Sequence, residues 1–259
     1  MRFLIDGDVY VYHACFAAQK EVTFGRTVTK ITDLDELHRR LETTIVGHMK
    51  QVHRALKLRK KAETTVMLSG VRDENWRKAV YAPYKGNRRP SDRPLGFAHA
   101  LDWIRNRWKV EEVSNLEADD LLGIRATEVE KAVIFTTDKD LLQIPRIVAR
   151  PSDFLPGATN GEMEIRRVTE EEGAQWHLVQ ALTGDQVDNY PGLPGVGQKT
   201  AEKILAGKTG REAWDAIVAA YEKKGKTEED ALAQARVARM LRTGEFDFDT
   251  KEVKLWLPS

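Results

Sequence analysis

Short apolar runs in this chain end in carboxylates, and that pattern restricts the fold more than any other feature. Phe3-Leu4-Ile5 stops at Asp6-Gly7-Asp8, Ala132 to Thr137 stops at Asp138 and Asp140, and Val110 to Val113 is followed by Glu117, Asp119 and Asp120. A continuous apolar run of this length, rich in β-branched residues, suits a strand buried on both faces. Thr64 to Leu68 is another. Between the runs the apolar period changes. Leu34, Leu37, Leu41, Ile45, Met49, Val52 and Leu56 recur at helical spacing behind Asp33 and Glu36, placed as a capping box. Phe97, Leu101, Ile104 and Trp108 mark a second helix, and Leu121, Leu122 and Ile124 a third. Strands alternating with helices predict a mostly parallel sheet flanked by helices, an α/β layer. In such sheets function gathers at the carboxyl ends of the strands, which is where these acids fall.

Composition narrows the setting. The chain has 259 residues, enough for a sizeable core, and a single cysteine, Cys15, which excludes an internal disulfide and a thiol-rich zinc site. No apolar run approaches the roughly 20 residues of a membrane span, and Asp6 interrupts the first one, so a cytoplasmic protein without a membrane partner is expected. A net charge of +1 leaves any nucleic-acid partner to local fields. Two regions are expected: a sheet core over 1–165, and a helical region over 166–259 that includes Gly- and Pro-rich turns from Gly184 to Gly197.

The chemistry lies in the acids. Helix capping accounts for one or two of Glu117, Asp119 and Asp120, but like charges this close repel unless a cation relieves them. With Asp6, Asp138 and Asp140 they put six carboxylates at three strand ends. Oxygen donors without a His or Cys cluster suit Mg²⁺ or Mn²⁺. Two such ions ~4 Å apart serve an in-line phosphodiester displacement. A phosphate loop ending in Gly-Lys-Ser/Thr is absent. Tyr81 to Pro94 adds aromatics, Lys85, Arg88, Arg89 and Arg93 beside the same rim, a phosphate-contacting segment. The basic run Lys50, Arg54, Lys57, Arg59, Lys60, Lys61 reads as the solvated end of a long helix. Gly192-Leu193-Pro194-Gly195-Val196-Gly197-Gln198-Lys199-Thr200 is a turn running into a helix, suited to cradle a DNA backbone phosphate without reading sequence.

Taken in order, Asp6, Tyr84-Lys85-Gly86-Asn87-Arg88, Glu117-Ala118-Asp119-Asp120, Thr137-Asp138-Lys139-Asp140, Gly184-Asp185 to Asp188-Asn189 and Gly192 to Thr200 resemble the 5′-nuclease superfamily of flap endonucleases and 5′-3′ exonucleases. Phage-encoded members and the nuclease domain of bacterial DNA polymerase I are the nearest in pattern. The resemblance implies a PIN-like core, an arch segment near 76–96 and a helix-three-turn-helix element over roughly 170–206. It implies two divalent ions held by Asp6, Glu117, Asp119, Asp120, Asp138, Asp140, Asp185 and Asp188. Lys85 and Arg88 would contact the scissile phosphate, with Tyr84 stacking and Arg89 on DNA. Gly192, Gly195, Val196, Gly197, Lys199 and Thr200 would bind duplex, with K⁺ held at the turn. DNA carrying 5′ ends, flaps or nicks is the implied partner. One departure stands out: the family usually has an Asp where this chain has Ser69-Gly70, which leaves two readings, that Asp73 substitutes from the next turn or that one ion is held more loosely. Pro90 and Pro94 imply a short arch. Two rival readings are a PIN-type ribonuclease, which would not need the Gly192 to Thr200 turn, and a weakly catalytic module that binds branched DNA.

Overall fold

The computed structural model describes residues 1–89, 93–154 and 162–258. Strands β1 (Arg2–Asp6), β4 (Glu63–Ser69), β5 (Val110–Val113), β6 (Ala132–Phe135), β7 (Ile147–Pro151) and β8 (Met163–Arg167) form one sheet in the order β5-β4-β1-β6-β7-β8. Its pairings are parallel except β7 with β8, which is antiparallel. From β1 the chain builds outward through β4 and β5, then returns to the other side of β1 at β6. The order therefore reverses beside β1, and the ends of β1, β4 and β6 flank the crevice expected at such a switch point.

Helices cover both faces. On one lie α1 (Gly7–Ala18), α2 (Leu34–Ala55) and α4 (Phe97–Arg107), packing Val11, Leu37, Leu41, Ile45 and Ile104 onto Phe3, Ile5, Val66 and Phe135. The basic run at the end of α2 leaves Leu41, Ile45 and Val52 on the buried stripe. Asp33 caps this helix by accepting the Glu36 N–H at 3.0 Å. The reciprocal half of the expected box is replaced, because the Glu36 carboxylate pairs with Lys20 and Arg40. Cys15 is buried in the same core.

The opposite face carries α5 (Ala118–Thr127), against which Met240, Leu241 and Phe246 fold back. A Cβ on Gly123 would stand 2.2 Å from Leu241 O, so only glycine lets the returning chain lie on α5. Helix α9 (Glu228–Ala238) ends before Met240 and Leu241, which serve the sheet core. With α6 (Glu170–Thr183), α7 (Gln198–Leu205) and α8 (Gly210–Glu222), α9 encloses a separate apolar cluster around Trp214, Ile217 and Tyr221.

Two features were not expected from the apolar pattern. Strands β2 (Gln19–Phe24) and β3 (Thr27–Thr32) form an exposed hairpin turning at Gly25, where φ is +62°. β8 adds an antiparallel edge just before the helical region. Among the described residues no helix is long and apolar enough to cross a membrane. Gly123→Ala should destabilise the chain by about 1–3 kcal/mol through overpacking, read from the urea midpoint. An unchanged midpoint would show that Leu241 can move away from α5 without penalty.

Candidate active site

Four segments deliver acids to the rim. Asp6 ends β1 and caps α1, accepting the Val9 N–H at 3.2 Å, while Thr136 at the end of β6 donates its hydroxyl to Asp6 at 2.7 Å. Glu117 and Asp119 open α5. Asp138 caps the 3₁₀ turn Lys139–Gln143 by accepting the Asp140 N–H at 2.8 Å. Asp185 and Asp188 sit in the loop after α6, pinned by paired Asp185 and Tyr190 backbone bonds of 2.8 and 3.1 Å. Gly184 at φ +63° and Gly192 at φ +59° let the two ends of that loop touch, since a Cβ on Gly192 would stand 2.3 Å from Gly184 N.

The basic segment reaches across this rim. The short helix α3 (Arg77–Val80) leads into turns where Lys85 adopts φ +52° and donates its N–H to Asp188 O at 2.8 Å. Its ammonium contacts Glu117 and lies 3.4 Å from Asp188. Arg88 pairs with Asp188, and Lys139 reaches Asp185 at 3.0 Å. Arg72 braces the segment by donating to the Lys85 and Arg88 carbonyls at 2.9 and 2.7 Å. Pro90 lies outside the described residues. Pro94 precedes α4.

These neighbours decide the charge states. Burial, then the Asp8 charge, pushes Asp6 up to about 7. Burial raises Asp119 well above the usual range, and Asp6 and Asp138 add to it. Asp138 and Asp140 are raised chiefly by burial as well, with Asp188 and Asp185 repelling both. Burial would raise Glu117 too, but Lys85 and Arg77 hold it at about 2. The rim is thus a set of acids in mutual repulsion, relieved where a side-chain cation stands. Among the described residues no three His, Cys, Asp or Glu side chains close on one point as a ready chelate.

Several expected roles change. Asp120 is fully buried and committed: it receives Arg77 through two bonds of 2.7 and 2.8 Å and Trp76 Nε1 at 3.0 Å. It holds the fold together and is not open to an ion. Tyr84 is buried, not a stacking platform; its hydroxyl donates toward Glu117 at 2.7 Å and Asp188 at 3.0 Å. Asp73 does not fill in for Ser69-Gly70, because its carboxylate is 89% exposed and paired with Lys78. Asp140 accepts from Gln180 in the interior, behind Asp138. Within the glycine turn, Gly195, Gly197, Lys199 and Thr200 are exposed and Val196 is half-buried. Gly192 is buried, and its N–H goes to Gln234 at 2.9 Å. It shapes the turn and has no amide to offer a phosphate.

Sequence reading also missed an aromatic wall. A cavity of about 360 Å³ beside Lys85 and Glu117 is lined by Tyr12, Phe97, Arg88 and Arg93. The Tyr12 and Phe97 rings stand 4.7 Å apart, with the Arg93 guanidinium 5.3 Å from Phe97. Tyr12 lies one helical turn and a half beyond Asp6, a spacing that signals nothing by itself.

Comparison with known proteins shows the family. Residues 1–171 match the family model of the 5′-3′ exonuclease N-terminal resolvase-like domain, and residues 172–255 that of the 5′-3′ exonuclease C-terminal SAM fold. The chain belongs to the 5′-3′ exonuclease family. It is 32% identical to the exonuclease of Escherichia phage T7, over 98% of this chain and 93% of that protein. The flap endonuclease Xni of Vibrio parahaemolyticus is 30% identical over 72% of this chain and 76% of its own length. A structure of the T5 5′-exonuclease with bound zinc superposes with a TM-score of 0.61 at 13% identity, covering 92% of this chain and 88% of that one, which establishes the shared fold.

The raised acids set a pH test. Asp6 titrates near 7 when folded and near 4 when unfolded. Between those values the folded chain holds a proton that the unfolded chain has released, so stability falls as pH rises from about 4 to 7. In the presence of a chelator, the melting temperature of the wild type should drop over that window, and Asp6→Asn should flatten the slope. Equal slopes for the two proteins would contradict the raised Asp6 value.

Proposed function

We propose that this chain is a divalent-metal-dependent 5′-nuclease that hydrolyses DNA phosphodiesters at 5′ ends, nicks and flaps, leaving a 5′-phosphate on one product. One observation carries the reading: acids from β1, α5, the turn after β6 and the loop after α6 repel one another around Lys85. Asp6, Glu117, Asp119, Asp138, Asp185 and Asp188 are the side chains assigned to hold the ions, with Asp140 supporting Asp138 from behind. Mg²⁺ or Mn²⁺ fits the oxygen donors, and K⁺ at the Gly192 to Gly197 turn belongs to the same proposal. When bound, the divalent ions supply an activated water and stabilise charge on the phosphodiester oxygens.

The chain's own residues do the positioning. Lys85 and Arg88 hold the scissile phosphate and offset the charge that develops on it. Their backbone is fixed by Arg72 and Asp188, so the cations meet the phosphate already oriented. Tyr12 and Phe97 offer ring faces to a base next to that phosphate, where stacking is tolerant of sequence. The exposed amides of the turn, together with Lys199 and Thr200 at the start of α7, grip the duplex backbone. A cytoplasmic setting in a bacterium or phage-infected cell accords with this reading.

Incubation with 5′-labelled flap, nicked, blunt and single-stranded DNA tests the activity. Cleavage should need Mg²⁺ or Mn²⁺, stop with chelator and vanish in Asp138→Asn, which should still bind DNA. Full turnover in Asp138→Asn or in chelator rejects the mechanism. Lys85→Ala should lower the single-turnover rate on the order of 10²-fold, with less effect on binding. Gly195→Val should do the reverse. Gly195 has φ +81° and open space around it, so a β-branched side chain strains the turn and blocks close approach of phosphate. Its binding loss should be similar for any duplex sequence; normal duplex binding by a folded Gly195→Val would remove the turn from the interface.

A further inference from the structure

Position 70 cannot hold a side chain. A Cβ there would stand 2.0 Å from Val113 O and 2.6 Å from the Ser114 Cα, because the end of β4 runs against the turn that follows β5. Ser69 is also engaged, its hydroxyl accepting the Ala118 N–H at 3.0 Å. The carboxylate missing from the end of this strand is therefore excluded at position 70 by the local packing.

A second close approach brings another acid to the same place. A Cβ on Gly7 would meet Leu68 Cδ2 at 2.5 Å, Val66 Cγ1 at 2.6 Å and Met67 O at 2.8 Å. Gly7 thus lets the first turn of α1 lie directly on β4. The next residue, Asp8, then falls over the strand end, and its Oδ1 faces the Ser69 N–H at 3.4 Å. Asp8 lines the cavity shared by Ser69, Gly70, Lys85 and Glu117. Glu117, Asp185 and Asp188 each have a Lys or Arg partner within 4 Å, whereas among the described residues Asp8 has none.

We propose that Asp8 supplies the divalent-ion site with the carboxylate that Ser69-Gly70 does not, so that this ligand comes from α1 instead of β4. The inference rests on the metal-dependent reading above. It assigns Gly7 and Gly70 complementary parts, one admitting the helix and the other excluding a side chain from the strand.

The test is Mn²⁺ binding without DNA, followed by electron paramagnetic resonance and calorimetry on the full chain. Asp8→Asn keeps an oxygen for the Ser69 N–H and should remain folded by circular dichroism, yet lose one Mn²⁺ or bind it about tenfold more weakly or worse. Asp73→Ala should titrate as wild type. Adding Ser69→Asp to Asp8→Asn should recover the lost binding, because it returns a carboxylate to the same strand end; this double variant separates a ligand role from a folding role. Wild-type Mn²⁺ binding by Asp8→Asn, alongside impaired binding by Asp138→Asn, overturns the Asp8 assignment and leaves the site intact. Unaltered binding in both variants overturns the metal reading itself, and this inference with it.

Discussion

A buried ion pair joins the parts of this chain that must meet for the site to exist. Arg77, at the start of α3, places its guanidinium in two bonds on Asp120 of α5 and donates to the Val237 and Arg239 carbonyls at 2.9 and 2.6 Å. One side chain thus fixes the basic segment, the helix that opens with Glu117 and Asp119, and the end of α9. The pair is fully buried, so its energetics are asymmetric. Desolvation offsets much of the attraction, but removing one partner leaves an uncompensated charge, a loss of about 3–5 kcal/mol. The arrangement is better understood as a specification of geometry than as a source of stability.

From that anchor the electrostatics of the rim follow. Tyr84 stands beside Arg77, with the guanidinium 5.7 Å from its ring, and turns its hydroxyl to Glu117 and Asp188. Lys85, one residue on, is thereby set among the acids. Its position requires a left-handed backbone conformation that non-glycine residues adopt sparingly, and the Asp188 carbonyl holds it there. Glu117 is kept ionised by this cation, while Asp6 and Asp119, farther from it, are pushed toward their protonated forms. Acids of one rim thus differ in charge state according to which of them a fixed cation can reach.

Much of this was legible in the sequence, for reasons that can be named. Strand ends are marked by a change from apolar to acidic residues, and Asp6, Asp138, Glu117 and Asp119 lie at such ends. What periodicity could not resolve was direction. Asp119 and Asp120 are neighbours in sequence but point about 100° apart on α5, one toward the crevice and the other to Arg77. Tyr84 illustrates the same limit, since an aromatic beside a lysine and an arginine reads as a surface feature until Tyr190 and α9 are seen to cover it. The β2–β3 hairpin escaped the apolar pattern because its exposed residues carry no core signal, although β-branched and aromatic residues flank Gly25. Gly70 was the least legible residue, because what excludes a side chain there is Val113 and Ser114, more than 40 residues away in the chain.

The loop after α6 has a further consequence. On the proposed function Asp185 and Asp188 serve the cleavage rim and Gly195 to Thr200 the duplex grip, and Leu193 is tied back to Leu182 by a 2.8 Å backbone bond between them. With Gly184 and Gly192 in contact, these two functions share one short, tightly folded span with no flexible linker. On the proposed function, that span is a molecular ruler. On that reading the spacing between cut and grip is set by the backbone of this span.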